Sequence, residues 1–352
     1  MVNLTLSCAV SSDGYLDDRS TERAILSSPE DLEAVLALRA QSDMIVVGAE
    51  TLRRDNPSLA TRGEDHLATR RAAGRADHPV KLVLTRSGKL PHDRAFFETG
   101  SAETIVLSRT ETDAPGTVER FEGDPVDALL HIARSRDCRD VLIEGGAQIL
   151  SLALPRARHL RLAVNPESLG DQGHARLFED LELFLEPLDV IRTERLGDTQ
   201  VYHIDLLRSR ARPIMEEAFR LSERCPASKT AFAVGAVGCT AELAILATGY
   251  SRETGPTDHA EEAMLSKLDE PPHTVICTLE PCLNRESKPK GCAQRLVDAG
   301  VQRVFYAIAE DETFTRQSGL TFLDQNGVEL IQISGFEEWF RKANQHIYGS
   351  AS

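Results

Sequence analysis

The chain has 352 residues, enough for two domains with separate cores. Hydrophobic residues make up 41%, charged residues 27% and aromatics only 5%, and the formal net charge is −15. Residues 1–212 carry 27 basic and 35 acidic side chains and residues 213–352 carry 13 and 20, so neither half offers the basic field that nucleic-acid binding requires.

No apolar run approaches the roughly 20 residues that span a bilayer. The start of the chain lacks the charged-then-apolar pattern of a signal peptide. Seven cysteines in a long chain, an odd number, fit a reducing compartment with free thiols. The expectation is a cytoplasmic protein with no membrane and no nucleic-acid partner.

Residues 2–10 read as a strand, followed by a turn at Ser12-Asp13-Gly14. Ser28-Pro29-Glu30-Asp31 starts a helix, with a capping Ser, a first-turn Pro and first-turn acids. Leu32, Val35, Leu36 and Arg39 then share one face. Short apolar runs at Met44–Val47, Val80–Thr85, Thr104–Leu107 and Val141–Ile143 read as buried strands, the last running into Glu144-Gly145-Gly146. Asp124-Pro125 opens a helix over about 125–135. Residues 189–196 and 200–206 form a closing antiparallel pair that turns at Gly197-Asp198. Alternating strands and helices of this kind predict an α/β domain with a mainly parallel sheet.

Arg208–Pro213 is polar and ends in Pro, which places a domain boundary there, with a helix starting at Pro213. The expected domains are 1–208 and 209–352. In the second, strands are expected near 232–237 and 242–248, a helix carrying His259 and Glu261, a strand at Thr274–Thr278, a helix at 292–299 and a strand at 301–308. No internal repeat or low-complexity tract occurs.

The strongest chemical signal is His259-Ala260-Glu261, then Pro281-Cys282, then Cys292. One imidazole and two thiolates meet the three-ligand requirement of a catalytic zinc site, which keeps its fourth position open. His259 is expected in the first turn of a helix and Cys282 at the start of the next, where partial positive charge favours a thiolate. Glu261, two residues from His259, is not at same-face spacing for a second ligand. It fits the proton shuttle of the H-x-E…P-C-x-x-C deaminase signature instead. A purely structural zinc needs a fourth protein ligand, and Cys277 is the nearby candidate.

In the stretches AFAVGAV (231–237), ATGYSRETGPTDHAEEAML (247–265), TLEPC (278–282) and GCAQRLVDAGVQRVFYAI (291–308), residues 213–335 resemble the deaminase domain of riboflavin biosynthesis. That family belongs to the cytidine-deaminase-like superfamily. The resemblance puts zinc ligands at His259, Cys282 and Cys292 and the catalytic proton shuttle at Glu261. Nine residues separate the two cysteines, one more than in the familiar bacterial form, and Ala231-Phe232 replaces an Asn-Pro. Both departures look closer to the fungal-type deaminase.

In the N-terminal half, no G-x-G-x-x-G fingerprint points to a Rossmann dehydrogenase. Gly48 and Gly145-Gly146 lie at strand ends, where glycine lets backbone approach a phosphate or simply serves packing. The ordered set Ser12-Asp13-Gly14, Leu38-Arg39-Ala40, Val47–Thr51, Asp55-Asn56-Pro57, Arg62 and Ile143–Gly146 resembles the reductase domain of riboflavin biosynthesis, over most of residues 2–180. That resemblance implies a dihydrofolate-reductase-like fold using NADPH. It implies cofactor contacts at Ala9, Thr51, Asp55, Gly145 and Gly146, and substrate contacts at Arg39, Ser58, Leu59, Arg62 and Glu144. Arg53 and Arg54 are candidates for a cofactor 2′-phosphate or are solvated loop charges.

The fold class expected is therefore α/β: a dihydrofolate-reductase-like domain followed by a cytidine-deaminase-like α/β/α domain, the reverse of the order in bacterial fusions. The expected activity is bifunctional, on a small aminopyrimidine carrying a (phospho)ribosyl group, in a homodimer with Zn2+ and NADPH. The alternative is a paralogue acting on a related pyrimidine or deazapurine in secondary metabolism.

Overall fold

In the computed structural model, which describes residues 2–20, 24–98, 102–285, 288–309 and 318–348, Met44, Ile45, Val46 and Val47 are all fully buried. Met44 and Val46 enter one hydrophobic cluster, whereas Ile45 and Val47 enter another. Alternate residues of one strand thus fill two cores, as in a parallel strand covered on both faces. The strand, Met44–Gly48, lies inside a nine-stranded sheet.

The spatial order of that sheet is Asp189–Leu196, Thr199–Asp205, His159–Val164, Asn3–Val10, Asp140–Glu144, Met44–Gly48, Val80–Thr85, Thr104–Ser108 and Thr117–Arg120. The last seven are mutually parallel, and the first two form an antiparallel hairpin on one edge. Asn3–Val10 is central, with Asp140–Glu144 on one side and His159–Val164 on the other. A small antiparallel pair, Tyr15–Asp18 with Gly173–Arg176, stands apart.

The chain divides into two compact units, Met1–Leu207 and Arg208–Ser352. The second holds a five-stranded sheet ordered Ile245–Tyr250, Gly235–Cys239, Thr274–Leu279, Arg303–Ile308 and Glu329–Gln332. All six residues of Thr274–Leu279 are buried, which fits its central position.

Several expectations change. The helix expected to start at Pro213 begins instead at Leu206 and runs to Ser222 with Pro213 inside it. Leu207, Ala211, Met215, Ala218 and Phe219 bury one stripe of that helix, which outweighs the polar residues between them. The strands near 232–237 and 242–248 lie about three residues later, because Thr240–Ala244 forms the turn between them. Helices Ala49–Asp55 and Glu64–Ala72 had no sequence expectation.

Helix Pro29–Ala40 starts as expected, with the Ser28 side chain accepting the Asp31 N–H. Its apolar face does not: Leu32 is half exposed, whereas Asp31 is fully buried. The reason is an ion pair, since Arg161 on the strand His159–Val164 reaches Asp31 at 2.6 Å, with side-chain exposures of 6% and 0%. Asp31→Ala is expected to destabilise the first unit by about 3–5 kcal/mol, because it strands a buried guanidinium. The double replacement Asp31→Leu/Arg161→Met is expected to recover most of that loss. Urea unfolding of the wild type and the two variants checks both outcomes.

Candidate active sites

The strand Thr274–Leu279 delivers Pro281-Cys282 to the carboxyl end of the second sheet. There it meets His259, which caps helix Ala260–Leu265, and Cys292, which starts helix Cys292–Asp298. His259 Nδ1 lies 3.5 Å from Cys282 Sγ and 3.4 Å from Cys292 Sγ. The three ligand atoms all lie within 4.8 Å of one another. A tetrahedral zinc with the usual Zn–N and Zn–S bonds has ligand–ligand edges of roughly 3.6–3.8 Å, so the donor set fits that ion.

Two details differ from expectation. His259 precedes its helix as the cap instead of lying in the first turn. Cys282 lies in a loop, and Cys292 takes the helix start. The backbone N–H of Cys292 nevertheless donates to the Cys282 sulfur at 3.5 Å, so a helix N-terminus still faces that thiolate. Cys277 does not join the group: it is fully buried and donates to the Phe305 carbonyl at 3.4 Å. Among the described residues the group has three protein donors and no fourth, as a catalytic site requires.

The Cys292 thiol donates to the Cys282 sulfur, and this, with a contact to His259, draws Cys282 down to about 4 against the opposing effect of burial. The same bond, aided by burial, holds Cys292 well above the ordinary thiol range. His259 is raised by its bond to Cys282, against burial. Zinc held by these three groups is expected to displace one proton, from Cys292, above the His259 titration, and a second, from His259, below it. Zinc affinity is expected to rise about tenfold per pH unit in the first range and more steeply in the second. Competition titrations against a chelator of known pH dependence check this, and an affinity independent of pH would exclude a Cys292 proton.

Glu261, the second residue of helix Ala260–Leu265, is 3% exposed. Burial pushes its carboxyl up from the ordinary range. With His259 and Cys282 it lines a cavity of about 420 Å³, walled also by Phe232, Arg252 and Asp258. That volume suits a small heterocycle. The wall residues come from separated segments and carry no spacing pattern, so sequence alone missed them. Arg252 adopts φ +65° and donates to the carbonyls of Pro226 and Phe232, which fixes it at the cavity rim.

In the first unit Ala9, Glu144, Gly145 and Gly146 lie at the carboxyl ends of the central parallel strands, with Thr51 against the glycine turn and Arg39 bonded to Glu144. Ser7 is in register with Glu144, and Val46 with Ile143, so Ala9, Gly48 and the Gly145-Gly146 turn fall on one rim. Ligands of open α/β sheets bind at such a rim. Gly145 and Gly146 adopt φ +66° and +80°, and a Cβ at either would stand 3.2 Å from Thr51 Oγ1. The turn is thus a bare backbone cradle against Thr51, which fits a phosphate-bearing cofactor. Asp55 ends helix Ala49–Asp55.

Arg39 and Glu144 bind each other in a bidentate pair at 2.7 and 2.6 Å. Ser58 and Leu59 are buried, Leu59 with φ +53°, and Ser58 accepts from the exposed Arg62 at 3.3 Å. Arg54 is held by Asp17 at 2.5 Å and the Ser20 carbonyl at 3.0 Å. Arg53 is held by Glu50 and the Lys89 carbonyl.

Comparison with known proteins gives a family match for each unit. Residues 2–202 match the family described as the RibD C-terminal domain. Residues 208–308 match the cytidine and deoxycytidylate deaminase zinc-binding region. A protein of Archaeoglobus fulgidus named 2,5-diamino-6-ribosylamino-4(3H)-pyrimidinone 5′-phosphate reductase is 26% identical over 204 residues, covering 55% of this chain and 93% of its own length. The riboflavin biosynthesis protein RibD of Chlamydia muridarum is 28% identical over 214 residues, covering 56% of this chain and 55% of its own. The diaminohydroxyphosphoribosylamino-pyrimidine deaminase of Schizosaccharomyces pombe is 30% identical over 131 residues, covering 35% of this chain and 32% of its own. The chain thus spans about half of the bacterial relative and a third of the yeast one. No helix among the described residues is long and apolar enough to cross a membrane.

Proposed function

The chain belongs to the RibD C-terminal domain family, and from that premise we propose that it is a bifunctional enzyme of riboflavin biosynthesis, a zinc-dependent pyrimidine deaminase fused behind an NADPH-dependent reductase. The observation that carries the deaminase is the three-donor group beside the buried Glu261. The substrate is an aminopyrimidine bearing a (phospho)ribosyl or ribityl chain, as the names of the archaeal and yeast relatives support.

His259, Cys282 and Cys292 hold the zinc. Zinc supplies Lewis acidity, which makes water available as a nucleophile near neutral pH. Glu261 does the proton work at its carboxylate. It passes one proton of the attacking water to the ring nitrogen and then the other to the departing amine, so that the carboxylate is regenerated. Its burial suits this role, because burial raises the carboxyl's affinity for the proton it takes from water. Phe232 closes one side of the cavity around the heterocycle.

In the first unit Ala9, Thr51, Asp55, Gly145 and Gly146 hold NADPH, which supplies hydride to the ribose C1′. Arg39, Ser58, Leu59, Arg62 and Glu144 hold the substrate. The Arg39 charge is already matched by Glu144, so the pair suits hydroxyl groups. Exposed Arg62 is the better guanidinium for the phosphate.

The acidic charge of both halves supports a small-molecule substrate over nucleic acid. Seven free cysteines support a reducing, cytoplasmic location. A homodimer through the first sheet is supported by its edge strand Asp189–Leu196, where Ile191 is half exposed.

The test is mass spectrometry of the zinc-loaded protein with the diaminopyrimidinone ribosyl phosphate, with and without NADPH. Both the reduced and the deaminated product are expected. The archaeal relative is named for a compound that keeps both ring amines, so the reduced, undeaminated species is expected first. Faster deamination of the ribosylamino than of the ribitylamino compound reverses that order. No turnover with zinc bound shifts the substrate to a related heterocycle.

A further inference from the structure

Each of the three zinc-binding residues is followed, three positions later, by a charged residue: His259 by Glu262, Cys282 by Arg285 and Cys292 by Arg295. The structure brings these three followers together around the Glu262 carboxylate, with Arg285 nearly buried and Arg295 partly exposed. Arg285 Nη1 donates to Glu262 Oε2 at 2.5 Å, with side-chain exposures of 4% and 9%. Arg295 Nε stands 3.1 Å from Glu262 Oε1 as an ion pair without hydrogen-bond alignment. Lys288, between the cysteines, binds Glu262 Oε1 at 3.1 Å and Asp258 at 2.5 Å. Glu262 also accepts the backbone N–H of His259 at 3.1 Å, and Arg285 donates to the Thr257 carbonyl.

A C-x-x-C turn fixes both sulfurs by its own short loop. Here nine residues separate the cysteines, so the loop alone fixes neither. We propose that Glu262 is a positioning residue for the zinc site: it clasps Arg285, Lys288 and Arg295 and so fixes Cys282 and Cys292 relative to His259. The physical basis is twofold. A single carboxylate joins the cap of the His259 helix, the loop after Cys282 and the first turn of the Cys292 helix. The cluster also carries three cations against two carboxylates, which leaves net positive charge behind the two thiolates. Groups that orient ligands in this way typically govern metal affinity by about 10–100-fold.

The inference rests on His259, Cys282 and Cys292 being the zinc ligands. Its test compares full-length wild type, Glu262→Gln, Glu262→Asp and Arg285→Ala. The readouts are zinc content, the rate of zinc release to a chromogenic chelator, and the visible spectrum after cobalt substitution. Glu262→Gln and Arg285→Ala are expected to release zinc about 10–100-fold faster than wild type. Their cobalt spectra are expected to shift while far-ultraviolet circular dichroism stays unchanged. Glu262→Asp, which keeps the charge, is expected to recover part of the retention. Wild-type release rates and spectra in both Glu262→Gln and Arg285→Ala overturn the inference while leaving the ligand assignment intact. Failure of the wild type to hold zinc overturns the ligand assignment and the inference with it. Should Glu262→Gln not fold, Arg285→Ala decides, because its side chain belongs to the loop.

Discussion

Glu261→Gln is expected to lower the rate of deamination by about 10²–10⁴-fold while leaving zinc content, fold and reduction unchanged. Glutamine keeps the volume of the side chain and its place in the helix. It cannot accept a proton from water or return one to the ring nitrogen and the leaving amine. Three other side chains are the proposed metal holders, so zinc retention is expected not to depend on Glu261. Ammonia release, metal analysis, circular dichroism and NADPH oxidation on one preparation measure all four quantities. Loss of zinc in this variant would make Glu261 a ligand. Unchanged deamination would remove it from the chemistry and favour a binding protein stabilised by zinc.

The zinc site was the most legible part of the sequence because its chemistry constrains residue type as well as spacing. Only thiolates and imidazoles suit the ion, and His259, Glu261, Cys282 and Cys292 stand in the order the chemistry needs. The buried strands were legible for a related reason: Met44–Val47 is a continuous apolar run that only a doubly covered sheet accommodates. What escaped is what tertiary contact decides. Asp31 looked like a first-turn acid on a solvent face, but Arg161, 130 positions away, draws it into the interior. The helix expected from Pro213 starts earlier, at Leu206, because Leu207, Ala211 and Met215 set a buried stripe that the charges between them mask. Glu262 carried no site expectation, and the three-residue offset after each proposed ligand gains meaning only when those ligands converge. Arg39 and Glu144 were each placed at the reductase rim, but their mutual pairing has no local signature.

Gly145→Val should show how far the first unit depends on its bare turn. The residue adopts φ +66°, where a side chain costs about 1–2 kcal/mol and a β-branched one more. A Cβ there would stand 3.2 Å from Thr51 Oγ1 and 3.3 Å from Thr51 Cγ2. Thr51 sits on a short helix, Ala49–Asp55, whose Leu52 is fully buried, so that side chain has little room to retreat. Overpacking of this kind costs about 1–3 kcal/mol more. Together the two effects amount to about 2–5 kcal/mol, or between tens-fold and a few thousand-fold in an equilibrium constant. Because the turn is also the proposed cofactor cradle, the loss is expected chiefly in NADPH affinity, read by fluorescence titration. Reduction is expected to fall with it. Deamination by the second unit, which has its own sheet and its own metal site, is expected to persist. Unaltered NADPH affinity in a folded Gly145→Val protein would move the cofactor away from this turn. Equal loss of both activities would mean that the valine disturbs more than one unit's fold.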